Sequence, residues 1–206
     1  MQSFLSALVH IDPVALVKAG GYLGIALIIF AESGILLGVF LPGDSILFAA
    51  GLLAALNLLS VWPLILLVIL AAILGDSVGY WIGAKAGDAL FARPDSRFFK
   101  HAWLERTERF YERYGGRAVI LARFVPVVRT VAPLLAGVGS MPYRRFLSYN
   151  VIGGTLWSAG MVLVGYLLGS TIPNSEQYLL PFSLVIIVLS FLPILVNLAR
   201  NKKRTD

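Results

Sequence analysis

The sequence predicts an all-α integral membrane protein, built as an inverted repeat. Its parts are two opposed re-entrant helical hairpins, transmembrane helices and an amphipathic cytoplasmic helix. Three observations carry that prediction. Hydrophobic residues make up 58 % of the 206 and charged residues 14 %, with mean hydropathy +0.83, against ~45–50 % apolar and ~25 % charged in ordinary soluble domains. The apolar residues fall into stretches near the ~20 needed to cross a bilayer as a helix. Charges close to prolines interrupt the apolar runs at similar places in the two halves of the chain, Asp44 after Pro42 and Arg123 and Arg129 on either side of Pro126. Cysteine is absent, which excludes disulfides, thiolate metal sites and cysteine nucleophiles, and no metal or cofactor is expected.

The elements follow in order. Residues 1–13 lack the basic leader, short apolar run and cleavage site of a secretory signal, and residues 1–18 read as a segment lying on the membrane surface. Repeat 1 covers residues 20–84. Its apolar run is too long for one span and short for two, and is interrupted by Glu32 and by Pro42, Gly43 and Asp44. Proline lacks an N–H and clashes with the preceding turn, so Pro42 and Gly43 mark a helix break. A broken helix is tolerated at membrane depth where protein or a water-filled cavity satisfies the freed backbone groups. A re-entrant hairpin over about 32–57 is one reading; a kinked full span over 20–41 is the other, and periodicity does not separate them. A clean span over 61–84 follows, marked only by Asp76.

Residues 85–117 form a polar loop in which Phe99, Trp103, Phe110 and Tyr114 recur at helical spacing, with Arg and Glu on the other faces. An interfacial amphipathic helix fits this pattern, as does a soluble helix packed on the membrane domain. Repeat 2 covers 118–170: a second hairpin over about 118–141, broken by Pro126 and Pro133 and carrying Arg123 and Arg129, then a span over 146–169. A last span over 178–199 and a basic tail over 200–206 complete the chain. Discontinuous helices at corresponding positions of two halves point to a transporter's central site.

Charge sets the orientation. The loop holds eight Lys/Arg against five acids, and the tail adds Arg200, Lys202, Lys203 and Arg204. The connections on the other side carry no basic residue. The positive-inside rule therefore makes the loop and the C-terminus cytoplasmic. The net charge of +6 is accounted for by topology, and no nucleic-acid partner is expected. A homo-oligomer is compatible with the sequence.

Glu32, Asp44, Arg123 and Arg129 need their own explanation. A charge at the centre of a membrane helix costs ~2.5–3.5 kcal/mol on insertion scales, so four unsupported ones would cost about as much as a domain's whole stability. Two acids in one half and two arginines in the other balance, which predicts pairing near the midplane. Replacing a buried ion pair by packed apolar groups is often neutral or stabilising, so a purely structural role is the weaker reading. The guanidinium fork suits a phosphate or phosphodiester, and a protonated carboxylate would release an arginine to an arriving anion. Asp76 is a secondary candidate, since it could also cap or pair locally; Tyr80 and Asn150 stand with it.

At these residues the sequence resembles the DedA family, the bacterial branch of the VTT-domain (SNARE-associated Golgi protein) superfamily. The resemblance rests on Glu32 twelve residues before the Asp of Pro42-Gly43-Asp44-Ser45 and on Arg123-Phe124-Val125-Pro126-Val127-Val128-Arg129-Thr130. Ala136-Gly137, the Gly75-Asp76…Tyr80…Gly83 span and the Phe146…Asn150…Gly153…Trp157 span also match. It covers about residues 20–170. It implies an inner-membrane protein with two opposed hairpins that moves phospholipid or polyprenyl phosphate, notably undecaprenyl phosphate, between leaflets, linked to protons. It also implies that Glu32 and Asp44 are essential acids and Arg123 and Arg129 essential arginines.

The leading expectation is thus a non-enzymatic lipid-phosphate translocase (flippase), its partners a polyprenyl phosphate or phospholipid and the surrounding membrane lipids. A proton-coupled small-ion antiporter uses the same acids without a phosphate-sized fork. A lipid phosphatase is disfavoured: the only histidines, His10 and His101, lie outside the broken elements, and Ile46, not arginine, follows Ser45. A non-transporting assembly factor is the remaining alternative.

Overall fold

The computed structural model describes residues 13–35, 42–91 and 113–171. Within these, every regular element is a helix: α1 (Pro13–Gly34), α2 (Gly43–Ala55), α3 (Val61–Phe91), α4 (Arg117–Ala122), α5 (Pro126–Val138) and α6 (Tyr143–Thr171). The final span, the basic tail and nearly all of the aromatic loop helix lie outside the described residues. The described residues divide into two compact units, one of 13–27, 42–67 and 160–171, the other of 28–35, 68–91 and 113–159. The long helices α1, α3 and α6 contribute to each.

Among the described residues, two helices are long and apolar enough to cross a membrane, Val61–Gly87 and Tyr143–Thr171. Their burial pattern is the reverse of a soluble helix. On α3, Leu66, Leu70, Leu74, Val78 and Ile82 form an i,i+4 stripe that is exposed, while Asp76 and Ser77 are buried. Leucine outward and carboxylate inward is stable where the surroundings are lipid. Helix α1 does the same: Leu23 and Leu27 are exposed, and the opposite face buries Ile25, Ile29 and then, three residues on, Glu32.

The first unit joins α2 to the end of α6. A Cβ at Gly51 would collide with the Val162 carbonyl, and one at Gly165 with the Phe48 carbonyl, so the two backbones touch where side chains are missing. The Tyr22 hydroxyl holds the start of α3, donating to the Ser60 carbonyl at 3.2 Å and accepting from the Ser60 N–H at 2.6 Å. Helix α1 starts at Pro13, a residue suited to a first helical position, and bends at Gly21, whose φ of 52° and ψ of −149° are not helical.

The second unit is organised by four glycines on α3, Gly75, Gly79, Gly83 and Gly87, all on one face at a spacing of four. A methyl group at Gly75 would strike the end of α1 at Phe30 and Ser33; one at Gly83 would strike the Leu134 carbonyl of α5. Helix α3 therefore lies directly on both neighbours. Tyr80, Val119, Ala136, Met141 and Phe146 form the apolar core beside this contact. The Tyr80 ring stacks on Phe146 at 4.7 Å and its hydroxyl donates to the Met141 carbonyl.

Helices α2 and α5 are each 13 residues long and end alike. Asn57 and Ser140 take positive φ, and the next N–H reaches back to the carbonyl of Leu53 at 3.0 Å or Ala136 at 3.1 Å. This is the Schellman closure, with asparagine or serine where glycine is usual. The prolines behave differently from one another. Pro42 precedes α2 and Pro126 opens α5 after the extended Val125, where the missing N–H costs nothing. Pro133, expected to break the chain, lies inside α5, and the helix continues through it. It forfeits one rung only, in a helix laid closely against the glycine face of α3.

Candidate functional site: a buried cluster of two ion pairs

The site lies wholly within the second unit. Helix α4 ends at Ala122, Arg123 caps it with dihedrals that are still helical (φ −62°, ψ −25°), and the chain turns extended at Val125 before α5 begins at Pro126. Arg123 thus stands at the break itself. Arg129 stands one turn into α5, its N–H bonded to the Val125 carbonyl at 3.0 Å. Six residues apart around a break, the two guanidiniums reach the same space.

Each meets a carboxylate from the other half of the sequence. Arg129 Nη2 pairs with Glu32 Oε1 at the end of α1, and Arg123 Nη2 pairs with Asp76 Oδ2 on α3. Side-chain exposure is 6 % and 4 % for the Arg123–Asp76 pair and 12 % and 2 % for Arg129–Glu32, so neither pair is a surface pair. Two positive and two negative charges sit together at net zero, which is how four buried charges are borne at all.

Helix α6 supplies the neutral wall. Asn150 is fully buried; its Oδ1 accepts from Arg123 Nη2 at 2.5 Å. The Trp157 ring, two turns further along, faces both cations: its centroid is 4.7 Å from Arg129 Cζ and 5.8 Å from Arg123 Cζ. Cation–π attraction of this kind is worth ~2 kcal/mol when desolvated. Between these residues Gly153 and Gly154 leave room for the Arg123 side chain. A Cβ at Gly153 would stand 3.2 Å from Arg123 Cδ, and one at Gly154 3.5 Å from Cζ.

Glu32, Ser33, Asp76, Arg123, Arg129, Thr130 and Trp157 enclose a void of ≈ 10 Å³, about one water molecule. In this arrangement the carboxylates occupy the arginines.

Of the residues singled out from the sequence, Glu32, Arg123, Arg129, Asp76 and Asn150 come together here. The carboxylate meeting Arg123 is Asp76, which the sequence offers as a secondary candidate. The reason is the glycine face, which brings α3 against the break. Asp44 occupies the first turn of α2 in the other compact unit, where a negative charge is favoured by the helix dipole. Tyr80 belongs to the apolar core. Trp157, Ser33 and Thr130 also line the void; Trp157 and Thr130 stand in the sequence only as parts of the family motifs, and the signal for Trp157 as a lining residue is its spacing of seven from Asn150, which puts both on one face.

Fold and site together define an all-helical membrane protein whose apolar helices enclose a charge-balanced cluster. The chain belongs to the VTT-domain (DedA) family, the VTT domain model matching residues 41–167. It is similar to Protein DedA of Escherichia coli (strain K12), 48 % identical over 179 residues covering 86 % of this chain and 81 % of that protein. It is also similar to an uncharacterized membrane protein of Mycobacterium tuberculosis, 42 % identical over 198 residues covering 92 % and 86 %. A further uncharacterized membrane protein, from Mycobacterium leprae, is 39 % identical over 192 residues covering 90 % and 86 %. No solved structure matches the chain.

Proposed function

We propose that this protein is a lipid-phosphate translocase of the bacterial inner membrane, with its middle loop and C-terminus in the cytoplasm. It moves a polyprenyl phosphate, undecaprenyl phosphate above all, or a phospholipid between leaflets in a proton-linked manner. The observation that carries this reading is the pair of arginines held by exchangeable carboxylates in an apolar surrounding. Arg123 and Arg129 receive the phosphate; Glu32 and Asp76 are their resting counter-ions and give way on protonation. The acyl or prenyl chain stays in lipid while the headgroup passes between α1, α3, the α4–α5 break and α6. The equal lengths and like endings of α2 and α5 support reading them as the second arms of two inverted hairpins, with Asp44 serving the first.

The test is translocation of a labelled lipid phosphate in vesicles containing the purified full-length protein. Wild type is expected to move it and Arg123→Ala to lose nearly all of that rate. An Arg123→Ala protein as fast as wild type refutes the assignment. The one-water size of the void favours a second reading, a proton-coupled small-ion antiporter; ion flux in vesicles without lipid movement would select it.

A further inference from the structure

Arg123 Nη2 faces two acceptors at once, Asp76 Oδ2 and Asn150 Oδ1. A proton can remove the first from the contest, because a protonated carboxyl no longer holds a cation by charge. No proton at ordinary pH removes the second. Asn150 is itself fixed: its Nδ2 donates to the Ile73 carbonyl at 3.2 Å, on the same helix as Asp76 and three residues before it. The orientation of the amide follows from its neighbours, since reversing it would set a donor against the guanidinium and an acceptor against a carbonyl. The flat bed of Gly153 and Gly154 under the Arg123 side chain leaves the guanidinium no bulky neighbour on α6 to lean on between Asn150 and Trp157.

The groups around Arg123 can be taken element by element: Glu32 from α1, Asp76 from α3, Arg129 and Thr130 from α5, Asn150 and Trp157 from α6. Only the two carboxylates among them exchange a proton between charged and neutral forms in the ordinary range. Asn150 is therefore the hydrogen-bond acceptor on Arg123 that is indifferent to protonation.

We propose that Asn150 is a positioning residue, a neutral tether that keeps Arg123 seated in the site when Asp76 lets it go. With the tether, release by Asp76 frees the charge of Arg123 for an anion without freeing its position. What that serves in a transport cycle rests on the translocase reading above; the tether itself does not. Chemical protection of Arg123 tests it without any transport measurement.

The full-length protein in lipid vesicles is treated with phenylglyoxal, and modification at Arg123 and Arg129 is followed by peptide mass spectrometry. Asp76→Asn imitates the discharged carboxyl. Arg123 is expected to react in Asp76→Asn and in Asn150→Ala at close to the wild-type rate. In the double variant Asp76→Asn/Asn150→Ala it reacts about tenfold faster, since hydrogen bonds to charged groups are worth ~1.5–3 kcal/mol. Arg129, held by Glu32, stays protected throughout and reports that the fold is intact. Asp76→Asn alone reacting as fast as the double variant overturns the tether. A wild-type protein that moves no lipid phosphate would sink the translocase reading and leave this result standing.

Discussion

The Arg129 guanidinium lies 4.7 Å from the centre of the Trp157 ring, so the cation between α1 and α5 is backed by an aromatic face as well as paired with a carboxylate. Trp157→Phe keeps a ring face there and is expected to lower stability by about 1 kcal/mol. Trp157→Ala removes the face and leaves a cavity, and is expected to cost ~3–5 kcal/mol. Thermal unfolding in detergent micelles checks both values. Equal losses for the two substitutions would show that the ring acts through volume alone.

The ion pairs separate stability from function. Replacing one partner of a buried pair leaves a lone charge and is expected to cost ~3–5 kcal/mol, while replacing both by apolar residues of similar size is close to neutral. Asp76→Leu and Arg123→Met should each be poorly folded, and the double variant should regain most of the lost stability. Translocation should not return with it, because the headgroup's ligand is gone. Unfolding midpoints beside vesicle translocation rates decide this, and a stable, fully active double variant would count against the site.

The charges were legible in the sequence because apolar surroundings make any charge conspicuous. Glu32, Arg123 and Arg129 declare themselves on cost alone. Which carboxylate meets which arginine was not legible, since spacing along a helix fixes a face and not the neighbour packed on it. Asp76 gained its partner through Gly75, Gly79, Gly83 and Gly87, whose period of four was visible in the sequence but reads equally as lipid-facing smoothness. Pro133 misled for a local reason: a proline removes a single helical rung, and close packing against α3 can hold the helix through that loss. Trp157 was hidden by its type, since tryptophan in a span is ordinarily an interfacial anchor and only its distance of seven from Asn150 marks it as inward.

The glycine face of α3 gives a steric prediction. A Cβ at Gly83 would overlap the Leu134 carbonyl, whereas one at Gly24 or Gly160 meets nothing within 4 Å. Gly83→Ala is therefore expected to push α3 from α5, displace Asp76 from Arg123 and cost several kcal/mol, more than the ~1–3 kcal/mol of ordinary overpacking. Gly24→Ala and Gly160→Ala should stay within about 1 kcal/mol of wild type. Unfolding in micelles distinguishes them, and a Gly83→Ala protein as stable as these controls would mean that the two backbones are not in contact.

Charge balance gives the last prediction, which holds for the translocase reading. With two arginines and two carboxylates paired around a one-water void, the resting cluster is charge-balanced, and an unbalanced buried charge is costly. Each negative charge that enters must then be matched by one proton taken up on Glu32 or Asp76. A phosphodiester lipid, with a single charge, should carry one proton per molecule moved; a phosphomonoester near neutral pH, with a charge of about −1.5 to −2, should carry close to two. Asp76→Asn, already discharged, should carry one fewer in each case. A pH-sensitive dye in weakly buffered vesicles, read beside the movement of labelled lipid, gives the ratio directly. The same proton count for diester and monoester, or no change in Asp76→Asn, would show that the carboxylates do not serve as the counter-charge.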